Sequence, residues 1–343
     1  MKTYLLNRIT GRKFRLNGIR PSTRLPHKQR LRQSFQNFIV YSADQLPPKV
    51  DLRSHMLPIE DQSQIGSCAA NCLVGVYQYL NKQENEENIA FSPLFLYYNG
   101  VYQYLNKQEN EENIAFSPLF LYYNGRAKEN PSGITDSSCT MTNTVEALEE
   151  SGVCLESIWP YNISQLNTKP SAEIYSDAKG HKIIDALQVD VDLTEMKSCL
   201  AQGFPFVFGL KLFPSFDKAG KTGVVSMPNS NDESQPSENN HALLAVGYSD
   251  KSQSFIVRNS WGEDWGDKGY CYIPYNYVTN IDYCFDVWTV RQLATDDYGQ
   301  DHWDNTDSVD YQQSKNSDDE NNKDDNHVIQ NIDEDDDKDV TAK

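Results

Sequence analysis

Residues Val76 to Gly100 recur letter for letter as Val101 to Gly125. Two identical segments cannot both occupy one set of packing sites, so any compact fold that seats one copy carries the other as excess chain. Only two copies are present, whereas stacked repeat architectures need at least three, and the pattern therefore excludes a solenoid. The first copy continues the apolar run that starts near Cys68, and the second runs into Arg126 and the Thr135-Asp136-Ser137 segment. The excess is accordingly expected to loop out between roughly Lys82 and Ala115. In each copy Ser-Pro (92–93, 117–118) reads as an N-cap with proline at the first helical position, and Asn-Gly (99–100, 124–125) as a helix stop, which predicts a duplicated short helix.

Charge limits where a core can form. The net charge of −18 over 343 residues is unevenly spread. Met1 to Ala43 holds ten Lys or Arg and no acid, and Asp296 to Lys343 holds seventeen Asp or Glu against four Lys. Neither end has the composition to build a core of its own. Residues 1–44 read as a basic arm that can wrap the domain, 45–295 as the folded domain, and 296–343 as an acidic disordered tail. Arm and tail attract each other at low salt or each find a separate partner. An arm of ten cations could also bind nucleic acid; a tether to the tail or the domain is the preferred reading.

No stretch approaches the roughly 18 apolar residues of a membrane span, and Tyr4-Leu5-Leu6 is too short for a signal-peptide core. An intracellular setting is expected, cytoplasmic or packaged in a virion, with no membrane association and a monomeric chain. The seven cysteines then read as free thiols rather than as a disulfide framework.

Within 45–295, helical patterns (68 onward, 144–152, 193–203) precede strand patterns (241–248, 254–258, 269–273, 285–290), with a Ser-, Asn- and Pro-rich loop at 228–240. Helices first and antiparallel strands second is an α+β arrangement in two lobes. Trp265, Tyr270 and Trp288 are expected to pack the strand lobe.

Cys68 follows Gly66-Ser67, which suits a tight turn and cap, and opens a helix-favouring run. A thiol at a helix N-terminus faces free N–H groups and the positive end of the macrodipole, so its pKa should fall and its thiolate should become a nucleophile. Strands 241–248 and 254–258 form a hairpin whose register puts His241 opposite residues 259 to 261, bringing it beside Asn259. An amide beside an imidazole fixes its tautomer and leaves the other nitrogen for the thiol. Cys72 could complete half a metal site with Cys68, but no second pair stands at ligand spacing, and no cofactor or metal is expected.

The segments DQSQIGSC (61–68), NHALLAVGY (240–248) and NSWGEDWGDKGY (259–270) resemble, in order and separation, the three blocks of papain-like (C1 family) cysteine peptidases. The resemblance covers about 50 to 290 and is to the divergent branch of bacterial and viral members without a signal peptide. It implies a papain-like two-lobe fold, a helical N-terminal lobe and an antiparallel β-barrel-like C-terminal lobe. It also implies roles. Cys68 is the nucleophile, His241 the general base and acid, Asn259 its orienter, and Gln62 the side-chain donor of an oxyanion hole shared with the Cys68 N–H. Trp261 covers the Asn259–His241 hydrogen bond from water. Protein or peptide substrates follow, hydrolysed through a thioester, and Ala242 would line the pocket for the second residue before the scissile bond.

Three departures stand out. Ala69 replaces the tryptophan that commonly follows the nucleophile, and Ile65 stands where many secreted members carry a disulfide cysteine. Residues 132–138 offer no glycine pair to line a substrate backbone. The duplication leaves an alternative, a catalytically silent binding or scaffold protein on the same fold.

Overall fold

In the computed structural model, residues 4–6, 11–85, 114–233 and 239–294 are described, and Met1–Thr295 form one compact unit. The tail 296–343 and most of the expected loop-out between Lys82 and Ala115 lie outside the described residues, as does the first copy's Ser92-Pro93.

The helical lobe is built on α1 (Cys68–Asn85), α2 (Pro118–Ala127) and α3 (Met141–Glu150). From Cys68 to Leu80 every residue of α1 is buried, so this helix is the lobe's axis rather than an amphipathic cover. The duplication divides between two helices: the first copy supplies Val76–Asn85 of α1 and the second supplies Pro118–Gly125 of α2. Ser117 caps α2, its hydroxyl accepting the Phe120 N–H at 3.2 Å, and Pro118 takes the first position as expected. The Asn124-Gly125 stop does not hold. The helix continues to Ala127 because Arg126 is buried and bonded to Thr135 O, Leu166 O and Asn167 Oδ1. Tertiary partners here outweigh a local stop signal.

The strands, in chain order, are β1 (Tyr4–Leu6), β2 (Lys13–Arg15), β3 (Ile19–Arg20), β4 (Gln33–Ser34), β5 (Lys49–Asp51), β6 (Cys139–Thr140), β7 (Ile183–Gln188), β8 (Phe206–Lys211), β9 (Asn240–Ser249), β10 (Ser254–Arg258), β11 (Tyr270–Pro274) and β12 (Cys284–Leu293). The main sheet runs β11-β10-β9-β8-β12-β7-β4, with β5 also on β9. Every pairing in it is antiparallel except β4 with β7. It is open rather than closed into a barrel.

β9 separates two cores. Ala242, Leu244 and Val246 face the cluster built around α1, while Leu243, Ala245 and Tyr248 face the strand-lobe cluster. This two-sided burial explains the unbroken apolar run after His241. β7 and β8, which no sequence pattern had marked, are also interior strands, β8 buried up to Leu210 and β7 about half buried.

The arm wraps the domain. It builds no core of its own, yet Phe14, Leu16 and Phe35 join the strand-lobe cluster while Ile19 and Leu31 join the helical one. Its cations meet acids of the domain: Arg12 with Asp61, Arg15 with Asp136, Arg20 with Glu129, Arg24 with Glu146, and both Lys28 and Arg30 with Glu149. The expected tether to the domain is therefore seen in these residues.

Candidate active site

The turn Gln62–Ser67 leads into α1 and places Cys68 at its first position. It is tied on both sides. Gln62 N–H donates to Ser260 O at 2.8 Å, and Gln62 Oε1 accepts the Ser260 hydroxyl at 2.5 Å. The amide is thus oriented with Nε2 as its donor end, one hydrogen going to Ile65 O at 3.0 Å. Tyr161 O–H donates to Gln62 O at 3.0 Å and contacts the Ser67 hydroxyl at 2.5 Å. Gly66 N–H donates to Asp136 Oδ1 at 3.1 Å.

Across the cleft, His241 lies at the second position of β9 and Asn259 just past the end of β10. The ladder between these strands shifts at a bulge between Ile256 and Val257 and ends with Arg258 opposite Leu244. On its other side His241 pairs with Leu210. His241 and Asn259 therefore meet by side chain rather than as directly facing ladder partners, Nε2 to Oδ1 at 2.8 Å. An amide oxygen can only accept, so Nε2 carries the proton and Nδ1 is the basic nitrogen. Nδ1 is buried and makes no hydrogen bond. Trp261 stacks on the imidazole with centroids 4.7 Å apart.

All four expected polar residues and Trp261 are brought to one place, and all are buried: Cys68, Gln62, His241 and Trp261 at 0 % exposure, Asn259 at 2 %. The cover is the arm. A β-carbon on Gly18 would sit 2.7 Å from Cys68 Sγ and 3.0 Å from Gly66 O, so the arm's backbone lies directly on the thiol. Asn17 N–H donates to Asn240 O at 3.0 Å, and Cys139 N–H donates to Gly18 O at 3.1 Å. Ile19 and Arg20 then pair in parallel with Cys139 and Thr140, while Phe14 stacks on Trp261 at 5.1 Å. Cys139 and Thr140, just past residues 132–138, thus hold the arm as an extended chain through ordinary backbone bonds.

This cover reverses one expectation. Burial pushes the Cys68 thiol up to about 12, and the N–H groups of Ala242, Ala69 and Cys68 itself only partly offset it. Burial likewise lowers His241 to about 4 against the raising effect of Asn259. The helix terminus does favour the thiolate, but desolvation wins while the cleft is closed. In this form the pair is neutral thiol and neutral imidazole.

A family model for papain family cysteine protease matches residues 129–285, a span that includes His241 and Asn259 and begins after the duplication. An uncharacterized peptidase C1-like protein of Acanthamoeba polyphaga mimivirus is 33 % identical over 245 residues, 68 % of this chain and 70 % of that one. The chain belongs to the papain family of cysteine proteases. Xylellain, a cysteine protease from Xylella fastidiosa, superposes with a TM-score of 0.61 at 30 % identity, covering 74 % of this chain and 88 % of that one. Digestive procathepsin L2 proteinase from Tenebrio molitor larval midgut shares the fold, with a TM-score of 0.57 at 19 % identity over 80 % of this chain and 77 % of that one. As a papain-family member the protein is a cysteine peptidase, a hydrolase of protein or peptide substrates.

Sequence reasoning missed Gly18, Asp136, Tyr161 and Ser260. Asn17-Gly18 carried a turn signal inside the arm, and Ser260 lay within a quoted motif. Asp136 and Tyr161 sit in loops with no periodicity to mark them. Cys72 is a buried free thiol, and among the described residues no cluster of metal-binding side chains occurs. No helix among them is long and apolar enough to cross a membrane.

Proposed function

We propose that this peptidase works by acyl transfer through Cys68, with His241 as proton carrier. The observation that carries the reading is the His241 Nε2 to Asn259 Oδ1 bond of 2.8 Å, which fixes the tautomer and leaves Nδ1 as the basic nitrogen; the reading also needs that ring close to Cys68. That proximity is supported by the Ala242 N–H, one residue from His241, acting on the thiol.

Once the arm has left, His241 Nδ1 takes the Cys68 proton and the thiolate attacks the peptide carbonyl carbon. The carbonyl oxygen becomes an oxyanion, received by the Cys68 N–H and by the Gln62 Nε2 hydrogen not given to Ile65 O. Collapse breaks the C–N bond, and the imidazolium returns its proton to the leaving amine. A water then loses a proton to Nδ1 and attacks the thioester, releasing the acid and the thiol. Asn259 stabilises the imidazolium in orientation throughout, and stacked Trp261 keeps water from their bond.

The alternative of a silent scaffold has two observations in its favour, the duplication and the covered thiol. Against it stands a set of four polar side chains whose mutual geometry a scaffold does not require. The arm's paired cations favour its role as a cover over nucleic-acid binding, and seven buried free thiols favour a reducing compartment.

The reading is tested by covalent capture. A peptide-linked, thiol-directed epoxide is added to the reduced full chain, and the adduct is mapped by mass spectrometry. One adduct on Cys68, absent in Cys68→Ala and much slower in His241→Ala, is expected. Labelling spread over other cysteines, or indifferent to His241, contradicts it.

A further inference from the structure

Asp136 is bonded in two directions at once. Its Oδ1 accepts Gly66 N–H at 3.1 Å and lies 2.8 Å from the Tyr122 hydroxyl, whose single proton is shared with Ser137 O. Its Oδ2 accepts from Arg15 Nη1, and its backbone carbonyl accepts from Arg15 Nη2 at 3.0 Å. Gly66 is two residues before Cys68, and Arg15 is three residues before Gly18, the residue lying on the thiol.

The fit around Gly66 is tight. A β-carbon there would meet the Tyr122 oxygen at 2.8 Å, so Tyr122 and Asp136 together fix the peptide that leads into Ser67 and Cys68. That peptide bears on the nucleophile, because the Cys68 N–H direction depends on the two residues before it. On its other side Asp136 meets Arg15 at two points, Nη1 on Oδ2 and Nη2 on the backbone carbonyl, a planar guanidinium contact that sets direction as well as energy. It holds the arm on the line that carries Gly18 across Sγ. Arg15 and Asp136 are both largely shielded, with side chains 19 % and 23 % exposed, so the pair is not a freely solvated surface contact.

We propose that Asp136 is a positioning residue with two tenants: through Oδ1 it sets the turn that presents Cys68, and through Oδ2 it latches the arm that covers Cys68. The two functions use different oxygens, so the arm can leave without unseating the nucleophile. The inference rests on reading Cys68 as the nucleophile.

Three full-length variants separate the tenants, read by the iodoacetamide labelling rate of Cys68 in peptide maps and by steady-state cleavage of a fluorogenic peptide. Arg15→Ala removes only the latch, and Cys68 labelling should rise about tenfold to a hundredfold, the scale of one lost charge-assisted contact. Asp136→Asn keeps an oxygen for Gly66 and Tyr122 but turns an NH2 toward Arg15, whose bond to the backbone carbonyl remains; it should label faster than wild type, up to the Arg15→Ala rate, and keep the kcat of Arg15→Ala. Asp136→Ala loses both, so it should label fast yet show kcat about tenfold or more below Arg15→Ala, with KM within about threefold.

Wild-type labelling rates in Arg15→Ala and Asp136→Asn overturn the latch. Equal kcat in Asp136→Ala and Arg15→Ala overturns the positioning role. Asp136→Asn, which keeps the acceptor for Gly66 and Tyr122, is the control that separates loss of the turn from a general loosening of the fold in Asp136→Ala. If labelling follows this pattern while no variant cleaves peptide, the latch stands and the peptidase reading of Cys68 fails instead.

Discussion

Gly18 rests on Cys68 so closely that a β-carbon there would stand 2.7 Å from the thiol sulfur. This contact accounts for the zero exposure of a thiol that opens α1, and it makes the arm part of the candidate site.

The first prediction concerns that contact. Gly18→Leu places a side chain against Sγ and against the Gly66 backbone, neither of which can move far without disturbing the start of α1. The arm should lift, and Cys68 labelling by iodoacetamide should rise at least about tenfold, with a loss of stability of about 1–3 kcal/mol typical of overpacking. Unchanged labelling would mean the arm does not limit access.

The second concerns pH. His241 is held at about 4, below its ordinary 6.5, so the open or unfolded chain binds a proton across that interval that the closed form refuses. Its contribution to stability is full above about 6.5 and is lost as pH falls towards 4. Cys68, raised to about 12 from 9, acts in the other direction: its contribution is full below 9 and is lost as pH rises towards 12. Glu146, lowered to about 2 by the Arg24, His27 and Lys128 groups around it despite its burial, keeps its arm contact ionised throughout the acid limb. Thermal melts from pH 4 to 10 should be highest between 6.5 and 9. The acid limb should flatten in His241→Gln; the alkaline limb, which Cys68 shares with six other thiols raised by burial, should flatten only in part in Cys68→Ser. Limbs unchanged in both variants would remove these groups from the account.

The third concerns the oxyanion donor. Gln62→Ala should lower kcat by ~10²-fold or more with KM little changed. Ser260→Ala removes the hydroxyl that fixes Gln62 Oε1 and should cost less, about tenfold. If Ser260→Ala were as damaging as Gln62→Ala, the serine would have a role beyond orienting the amide.

The fourth concerns the duplication. Deleting residues 76–100 leaves a chain in which α1 and α2 keep the same side chains, because the copies are identical, and shortens their connection by 25 residues. Loop-closure entropy then favours the shorter chain by about 1–2 kcal/mol. The melting temperature should stay level or rise, and a clear fall would show that the excess segment contributes packing.

How much was legible follows from what each signal encodes. The helix at Cys68, the strand at His241 and the meeting of His241 with Asn259 could be read because local turn chemistry, period-two patterning and motif order are all written along the chain. β7 and β8 escaped because their partners are distant in sequence and neither strand alternates. The cover over Cys68 escaped for a related reason. The arm's composition forbids a core of its own, yet isolated residues such as Phe14 and Ile19 fill gaps in cores that others build. The thiol's pKa was misjudged on the same ground, since a helix terminus is visible in the sequence and a lid that desolvates it is not.

The most direct test of the central claim is cleavage of a mixed fluorogenic peptide library, in a thiol reductant, by full-length Arg15→Ala beside Arg15→Ala/Cys68→Ala and Arg15→Ala/His241→Ala. Cleavage by the first and none by either double variant is the predicted result. A folded Arg15→Ala chain that reacts with iodoacetamide at Cys68 yet cleaves nothing, or cleavage that survives the loss of Cys68, would contradict it.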